Sequence, residues 1–198
     1  MSHAVGLRER KKTQTRDALV AAAFDLFARK GYEHTTVDDI ADAANVSPRT
    51  FFRYFATKDD VIFSGFAEAK AELLAALEAR PTSEPAITSL RHAALAVSSR
   101  ESDDVGATRT VLGLLATTPS LTHTYLGLLG DIEAAVVGWA AGRLGTSTND
   151  LRPRLVAAAG IAARRAAVDA WREQGYAGDL QALLTEALDR MAKGLETL

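Results

Sequence analysis

Apolar residues recur at intervals of three and four along almost the whole chain, which is the spacing of one face of an α-helix. Leu19, Ala22, Ala23, Leu26 and Phe27 are an example near the N-terminus. Alternating runs of Val, Ile and Thr, the pattern of a half-buried strand, are missing, and Gly and Pro fall mostly between the periodic segments. The pattern predicts an all-α protein of about nine helices.

Capping and breaking residues indicate where these helices begin and end. The first is predicted from near Thr13 to Lys30, before Gly31. The second follows Thr36 and ends near Ala44. The third begins at Pro48 after the N-cap Ser47, and a fourth follows Thr57 and runs to about Arg80. Beyond the breaker PTSEP at 81–85, the predicted boundaries are Ser102-Asp103-Asp104, Thr118-Pro119, 145–150 and 175–179, with helices at about 104–117, 119–142, 151–174 and 179–195.

The segment NVSPRTFFRYFATK, residues 45–58, crowds aromatic and basic side chains into the third predicted helix. On a helical wheel Phe51 and Phe55 fall about 40° apart. Arg49 and Arg53 fall on the opposite side, about 160° and 200° from Phe51. The helix therefore has an apolar arc that can pack and a basic arc that can face outward.

An apolar face on the second helix, with Val37, Ile40 and Ala41, lies just upstream, and the short turn Asn45-Val46-Ser47 joins the two helices. This is the pattern of a helix-turn-helix, in which the second helix enters the major groove and its exposed arc meets base edges and phosphates. Spacing alone equally allows an amphipathic helical hairpin whose arginines are merely solvated.

The charge is distributed unevenly along the chain, although the net charge is only −2. Residues 7–16 hold five basic residues and one acidic residue, a net charge of +4, whereas residues 61–198 sum to −3. Such asymmetry suggests an N-terminal end that faces nucleic acid and a neutral or acidic body. A solvated basic tail accounts for the charge count equally well.

A longer match makes the DNA-binding interpretation specific. The segment TRDALVAAAFDLFARKGYEHTTVDDIADAANVSPRTFFRYFATKDDVIF, residues 15–63, closely resembles the N-terminal DNA-binding region of the TetR/AcrR family of transcriptional repressors. The resemblance includes LFARKGY in the first helix, TTVDDIA at the start of the second and FRYF-x-x-K after the third. It implies a three-helix DNA-binding domain at 1–57 and an effector-binding and dimerisation domain, a helical bundle, at 58–198.

The resemblance also implies which residues lie at the DNA surface. They are Thr36, Ser47, Arg49, Thr50, Phe52, Arg53, Tyr54 and Lys58, the last on a backbone phosphate. The basic stretch before them, with Lys11, Lys12 and Arg16, is then an arm and first turn that reaches phosphate or the flanking minor groove.

Two positions depart from the family pattern. The family commonly has tyrosine where Phe52 stands and histidine where Tyr54 stands, so the phosphate-bonding hydroxyl has moved two residues along. Phe52 then either packs within the domain or touches a thymine methyl group. The sequence leaves these two roles open.

The last two predicted helices carry apolar stripes interspersed with small residues, which let helices approach closely. In the family such helices form a four-helix bundle across the twofold axis of a dimer, and two half-sites about 34 Å apart fit a twofold protein. The candidate interface residues are Leu155, Ala158, Ala162, Leu184 and Leu188. The same stripes are equally compatible with the chain's own core.

The middle helices combine apolar residues with a few polar groups, as a ligand pocket does, although plain core explains the same spacing. The candidate pocket residues are Arg109, Leu112, Tyr125, Trp139 and Arg165. The segment ATRTVLGLLATTPSLTHTYLGLLGDIE, followed by WAAGRLG and AVDAWREQG, resembles the C-terminal domain of the mycofactocin-type regulators within the TetR family. That branch implies an effector similar to a fatty acyl-CoA.

Other classes of function find little support in the sequence. The four histidines show no HxxxH pair, cysteine is absent, and no Gly-rich phosphate loop follows a strand. We therefore expect no metal, no cofactor and no enzymatic activity. The polar N-terminus and the lack of an apolar run of about 18 residues predict a soluble cytoplasmic protein without a membrane segment.

Taken together, these patterns predict a ligand-responsive DNA-binding transcriptional regulator. We expect a repressor that binds a palindromic double-stranded DNA operator as a homodimer and is released by a small apolar or amphipathic effector. A helical ligand-binding or scaffold protein without sequence-specific DNA binding is the alternative.

Overall fold

The computed structural model describes residues 6–101 and 105–194, and this part of the chain is helical with no strand. The predicted all-α class is therefore confirmed. The predicted boundary at Ser102-Asp103-Asp104 lies outside the described residues. Ten helices follow one another: α1 (Leu7–Lys30), α2 (Val37–Ala43), α3 (Pro48–Tyr54), α4 (Lys58–Ile62), α5 (Phe66–Glu78), α6 (Ala86–Glu101), α7 (Val105–Thr117), α8 (Pro119–Leu144), α9 (Leu151–Glu173) and α10 (Leu180–Lys193).

The described chain forms two compact units. The N-terminal unit holds the chain up to Gly65 together with Thr110–Leu121, and the C-terminal unit holds Phe66–Arg109 and the chain from Thr122 onward. This division reflects packing and does not show which unit binds DNA or a ligand. The predicted functional domains, 1–57 and 58–198, therefore stay a prediction.

Three short helices of the N-terminal unit begin at side-chain caps. The Thr36 hydroxyl accepts a hydrogen bond from the Asp39 N–H (3.1 Å), and the Asp39 carboxylate accepts one from the Thr36 N–H (3.0 Å). Thr57 and Asp60 form the same reciprocal pair at α4. Ser47 caps α3 by accepting from the N–H of the third residue along, with proline following it. These caps satisfy backbone donors that a helix start leaves free.

Helix α1 begins at Leu7, about two turns before the predicted start near Thr13. The Thr13 hydroxyl does not cap a helix but donates to the carbonyl of Glu9 (3.2 Å), and Thr15 donates in the same way to Lys11 (2.9 Å). Such bonds are made inside a helix. The basic stretch is therefore part of α1 and not an extended arm.

The predicted helix from Thr57 to Arg80 is two helices, α4 and α5. Phe63 closes α4 with ψ near 11°, and its N–H donates to the Asp59 carbonyl (3.1 Å). Ser64 and Gly65 follow, both weaker helix formers than Ala or Leu. Phe63 is itself buried in the core. Its burial and the low helix propensity of the two residues after it therefore both favour a break in the helix at this point.

The C-terminal unit packs α6 against α5, α9 and α10, and α9 lies along α10. One apolar cluster in it contains Leu77, Leu90, Ala93, Val136 and Ala157. A second contains Ala163, Ala167, Leu184 and Leu188. Small residues on α9 allow the neighbouring helices to come close.

Helix α6 comes close to α9 at Gly160. A Cβ atom at this position would lie 2.9 Å from Cδ2 of Leu90, which is itself buried in the first cluster. Gly142, on α8, is exposed, and a Cβ added there meets nothing within 4 Å. The two glycines therefore form a matched pair for testing the packing.

We expect Gly160→Val to lower the free energy of unfolding by about 1–3 kcal/mol, because the added atoms force Leu90 out of its place. Gly142→Val should change it by less than about 0.5 kcal/mol. Urea titrations followed by circular dichroism measure both values. Equal values for the two variants would mean that the α6–α9 contact is not tight.

Candidate DNA-binding surface

Helix α3 is held to the N-terminal unit by two aromatic rings. Phe51 is fully buried and Phe55 nearly so, with ring centroids 5.7 Å apart. Arg49 and Arg53, on the other side of the helix, are exposed. The two arcs of the helical wheel are thus present in the structure, and Phe52 belongs to the exposed side with 58% of its surface accessible.

The polar residues of α3 also bond to one another. The hydroxyl oxygens of Ser47 and Thr50 lie 3.0 Å apart at the start of the helix. At its end the guanidinium of Arg53 lies 5.1 Å from the ring centroid of Tyr54, within the range of a cation–π contact. Both contacts limit the rotamers of groups that were predicted to face DNA.

The carboxylate of Asp39 lies at the start of α2, next to Thr36, which is predicted to contact DNA. Hydrogen bonds from Thr36 and then from Lys30 lower the pKa of Asp39 from 3.8 to about 2. The Lys30 ammonium lies 2.9 Å from the Asp39 carboxylate. Asp39 therefore stays ionised, and a cation accompanies it at a surface that would otherwise repel phosphate.

Lys58, predicted to bind phosphate, links the start of α4 to the turn before α2. Its ammonium donates to the carbonyls of Tyr32 (2.8 Å) and Thr35 (3.2 Å) and lies 3.8 Å from the Tyr32 ring centroid. The Tyr32 hydroxyl donates to Asp59, and burial followed by this bond raises the pKa of Tyr32. An ammonium has three N–H donors, and these two bonds use two of them.

The basic residues of α1 separate into two kinds. Lys11 and Lys12 are exposed. Arg16 is half-buried, donates to the carbonyl of Ser64 (2.7 Å) and lies 5.9 Å from the ring centroid of Phe55. Lys11 and Lys12 therefore have the freedom that a phosphate contact needs, whereas Arg16 also stabilises the unit from within.

Sequence reasoning missed the supporting role of Tyr32, Asp59 and Lys30. Their partners lie between 9 and 27 positions away along the chain, beyond the range of helical spacing. The family-like segment contains Tyr32 in its LFARKGY motif, but the motif did not indicate a function for the tyrosine.

The five predicted pocket residues are divided between the two compact units. Leu112 belongs to the N-terminal unit and the other four belong to the C-terminal unit. Tyr125 packs edge to face on Phe66 (5.6 Å), and Trp139 packs on the first apolar cluster beneath Arg143 (5.1 Å). Arg109 and Arg165 are exposed.

A small cavity between α6, α9 and α10 lies elsewhere in the C-terminal unit. Its volume is about 10 Å³, enough for about one water molecule. The side chain of Gln181 crosses from α10 to α6 beside it, accepting from the Ser98 hydroxyl (2.6 Å) and donating to the Leu95 carbonyl (3.1 Å). None of the predicted pocket residues lines this cavity.

The predicted dimer residues fall into two groups. Leu184 and Leu188 are only 4% and 1% exposed because α9 covers them in the chain's own second cluster, so they do not form a free surface. Leu155 is 57% exposed and Ala158 is also exposed, while Ala162 is half-buried. Leu151, one turn before Leu155, is exposed as well and was not predicted.

A tight turn between two short helices, with a second helix anchored by apolar residues and exposing arginines, is the arrangement of a helix-turn-helix. Residues 19–64 match the family model of the bacterial regulatory proteins of the tetR family, and residues 84–196 match that of the MftR C-terminal domain. The chain belongs to the TetR family of bacterial transcriptional regulators.

Individual relatives agree with this assignment. The HTH-type transcriptional regulator TcmR of Streptomyces glaucescens is 38% identical over 84% of this chain and 76% of its own length. MftR of Mycobacterium tuberculosis, named for the regulation of mycofactocin biosynthesis, is 28% identical over 96% of this chain and 95% of its own. The FadR repressor of Thermus thermophilus, solved with lauroyl-CoA, shares the fold with a TM-score of 0.60 at 22% identity, covering 92% of this chain and 96% of its own.

No described helix is both long enough and apolar enough to cross a membrane.

We expect Lys58→Met to lower the free energy of unfolding by about 1–3 kcal/mol, because two carbonyl groups lose a charged donor. Lys193→Met, at an exposed position of α10, is the matched control and should stay within about 0.5 kcal/mol of the unsubstituted protein. Urea titration measures both. A Lys58→Met variant as stable as the control would show that this ammonium does not hold α4 in place.

Proposed function

We propose that this chain is a ligand-responsive repressor that binds a palindromic operator as a homodimer in the cytoplasm. The observation that carries the DNA-binding part is the two-sided α3, with Phe51 buried and Arg49 and Arg53 exposed. Membership of a family of transcriptional regulators supports the same function.

The exposed arc of α3 would recognise the base sequence of the operator in the major groove. Arg49 and Arg53 are the donors for guanine, because an arginine can bond bidentately to O6 and N7. Thr50 and Tyr54 add hydroxyl groups for bases or phosphates. Each such contact is repeated in the second half-site when two chains bind together.

Backbone phosphates would be bound around this arc. Lys11 and Lys12 on α1 are exposed, and Lys58 is half-buried with two of its three N–H donors on protein carbonyls. Thr36 and Ser47 lie at the starts of α2 and α3. Phosphate contacts fix the position of a protein on the duplex without selecting a sequence. Arg16, whose guanidinium also donates to the carbonyl of Ser64, belongs to the same proposed set.

A second copy of the chain is the proposed partner of the exposed stripe on α9. Leu151 and Leu155 expose large apolar side chains there, and Ala158 continues the same face without bulk. An exposed apolar face of this kind is typical of an interface. A twofold dimer would place two α3 helices on half-sites about 34 Å apart.

The effector is proposed to be amphipathic and similar to an acyl-CoA. The C-terminal match to the MftR model and the fold shared with an acyl-CoA-bound repressor support this class. The chain passes from one unit to the other between Gly65 and Phe66, and crosses again at 109–110 and at 121–122. A shift of the C-terminal unit would reach α3 through these links, and a change in half-site spacing would release the operator.

To test DNA reading, the purified protein first selects a duplex from a library with a randomised centre. Arg49→Ala should then reduce the preference for this duplex over a scrambled one, by about 1–3 kcal/mol per half-site. Lys12→Ala should weaken binding to both duplexes equally. It should also reduce the slope of log affinity against log salt concentration by about one per chain. Fluorescence anisotropy at several salt concentrations measures these quantities.

Equal losses on the selected and scrambled duplexes for Arg49→Ala would contradict base reading by α3. Failure of the protein to bind any duplex at low salt would instead favour a helical ligand-binding or scaffold protein.

To test the effector, lauroyl-CoA is compared with free coenzyme A and free laurate. Lauroyl-CoA should raise the melting temperature and weaken binding to the selected duplex by about 5–150-fold, the usual range of coupling between two sites. The two fragments should have much smaller effects. If lauroyl-CoA stabilises the protein and leaves DNA affinity unchanged, binding and release are not coupled in the proposed way.

A further inference from the structure

Phe52 is an exposed aromatic residue at the edge of the polar arc of α3, about 100° from Phe51 on the helical wheel. Its neighbour Phe51 is fully buried, whereas 58% of the Phe52 surface is accessible. Arg49 and Arg53, next to Phe52 on one side of this arc, carry exposed guanidinium groups. An apolar ring in such surroundings leaves a large apolar surface in water, and this surface is removed from water only when a partner covers it.

The ring of Phe52 has a defined position. It meets the Phe51 ring edge to face, with centroids 5.6 Å apart and planes at 85°. Since Phe51 is fixed in the core, this contact limits the movement of Phe52. An aromatic side chain also has only two side-chain torsions to lose on binding, so it contributes contact area at a small entropic cost.

The chemistry of the ring restricts what it can contact on a duplex. Phenylalanine has no hydrogen-bond donor or acceptor, so it cannot bond to a phosphate or to the polar edge of a base. The apolar group that the major groove displays on a base edge is the 5-methyl of thymine. Tyr54, two residues along, carries the hydroxyl group that the Phe52 ring lacks.

We propose that Phe52 is a specificity-determining residue that recognises one thymine in each half-site by covering its 5-methyl group. This inference rests on the proposed function, in which α3 enters the major groove. Arg49 reads a neighbouring base pair by hydrogen bonding, while Phe52 distinguishes thymine by shape and apolarity alone.

The test replaces thymine by deoxyuridine, which lacks only the methyl group. In the duplex selected by the unsubstituted protein, each symmetric pair of thymines is replaced in turn, and affinities are measured by fluorescence anisotropy. Replacement of one of these pairs should weaken binding about 15-fold. This is about 4-fold per half-site, the value for one buried methyl or methylene group. With Phe52→Ala, the same replacement should have no effect.

Three controls accompany this measurement. Arg49→Ala should bind more weakly but keep the full loss on replacing the thymine pair, because it does not touch the methyl. Phe52→Leu, which stays apolar, should keep part of the loss. Urea titration of Phe52→Ala should show a variant that is fully folded without urea, with a midpoint lowered only by the loss of the Phe51 ring contact, and this separates a reading role from a folding role.

The possible outcomes distinguish this inference from the proposed function. The inference is overturned if the unsubstituted protein tolerates deoxyuridine at every position, or if Phe52→Ala keeps the full 15-fold loss. In both cases selection of a specific duplex would leave the proposed function intact. If the protein selects no sequence and binds no duplex at low salt, the proposed function and the inference fail together.

Discussion

The position of α3 depends on the burial of Phe51 and Phe55. The helix has seven residues, and isolated helices of fewer than about 12 residues are not stable in water, so packing must hold it. Ile40 and Ala41 of α2 and Leu19 of α1 are buried in the same unit. Because side chains leave a helix at set angles, anchoring these two rings decides that the arginines of α3 point outward. The rest of the proposed DNA surface is arranged around this anchor.

Features that depend on nearby residues were predictable from the sequence. A side-chain cap joins groups three residues apart, so Thr36, Ser47 and Thr57 indicated helix starts that the structure confirms. Helical spacing likewise indicated the all-α class and the two arcs of α3, since periodicity records which face is covered. The family-like segment added the function of the exposed arc, which spacing alone left open.

Features that depend on tertiary packing were not predictable in the same way. An apolar stripe shows that a face is covered but not what covers it. Leu184 and Leu188, predicted for a dimer interface with the chain's own core as the alternative, pack against α9 within the chain. The break after α4 depends on the burial of Phe63. Lys58 was recognised as a cation, but its two carbonyl partners lie 23 and 26 residues away, where no local pattern applies.

The central claim is that the face of the N-terminal unit formed by α1, α2 and α3 binds DNA. Amide hydrogen exchange, followed by mass spectrometry with and without the selected duplex, tests it most directly. The account predicts that the duplex slows exchange in peptides covering 7–16 and 36–58, while 180–193, on α10, exchanges at the same rate. Slower exchange confined to the C-terminal unit at saturating duplex would contradict it.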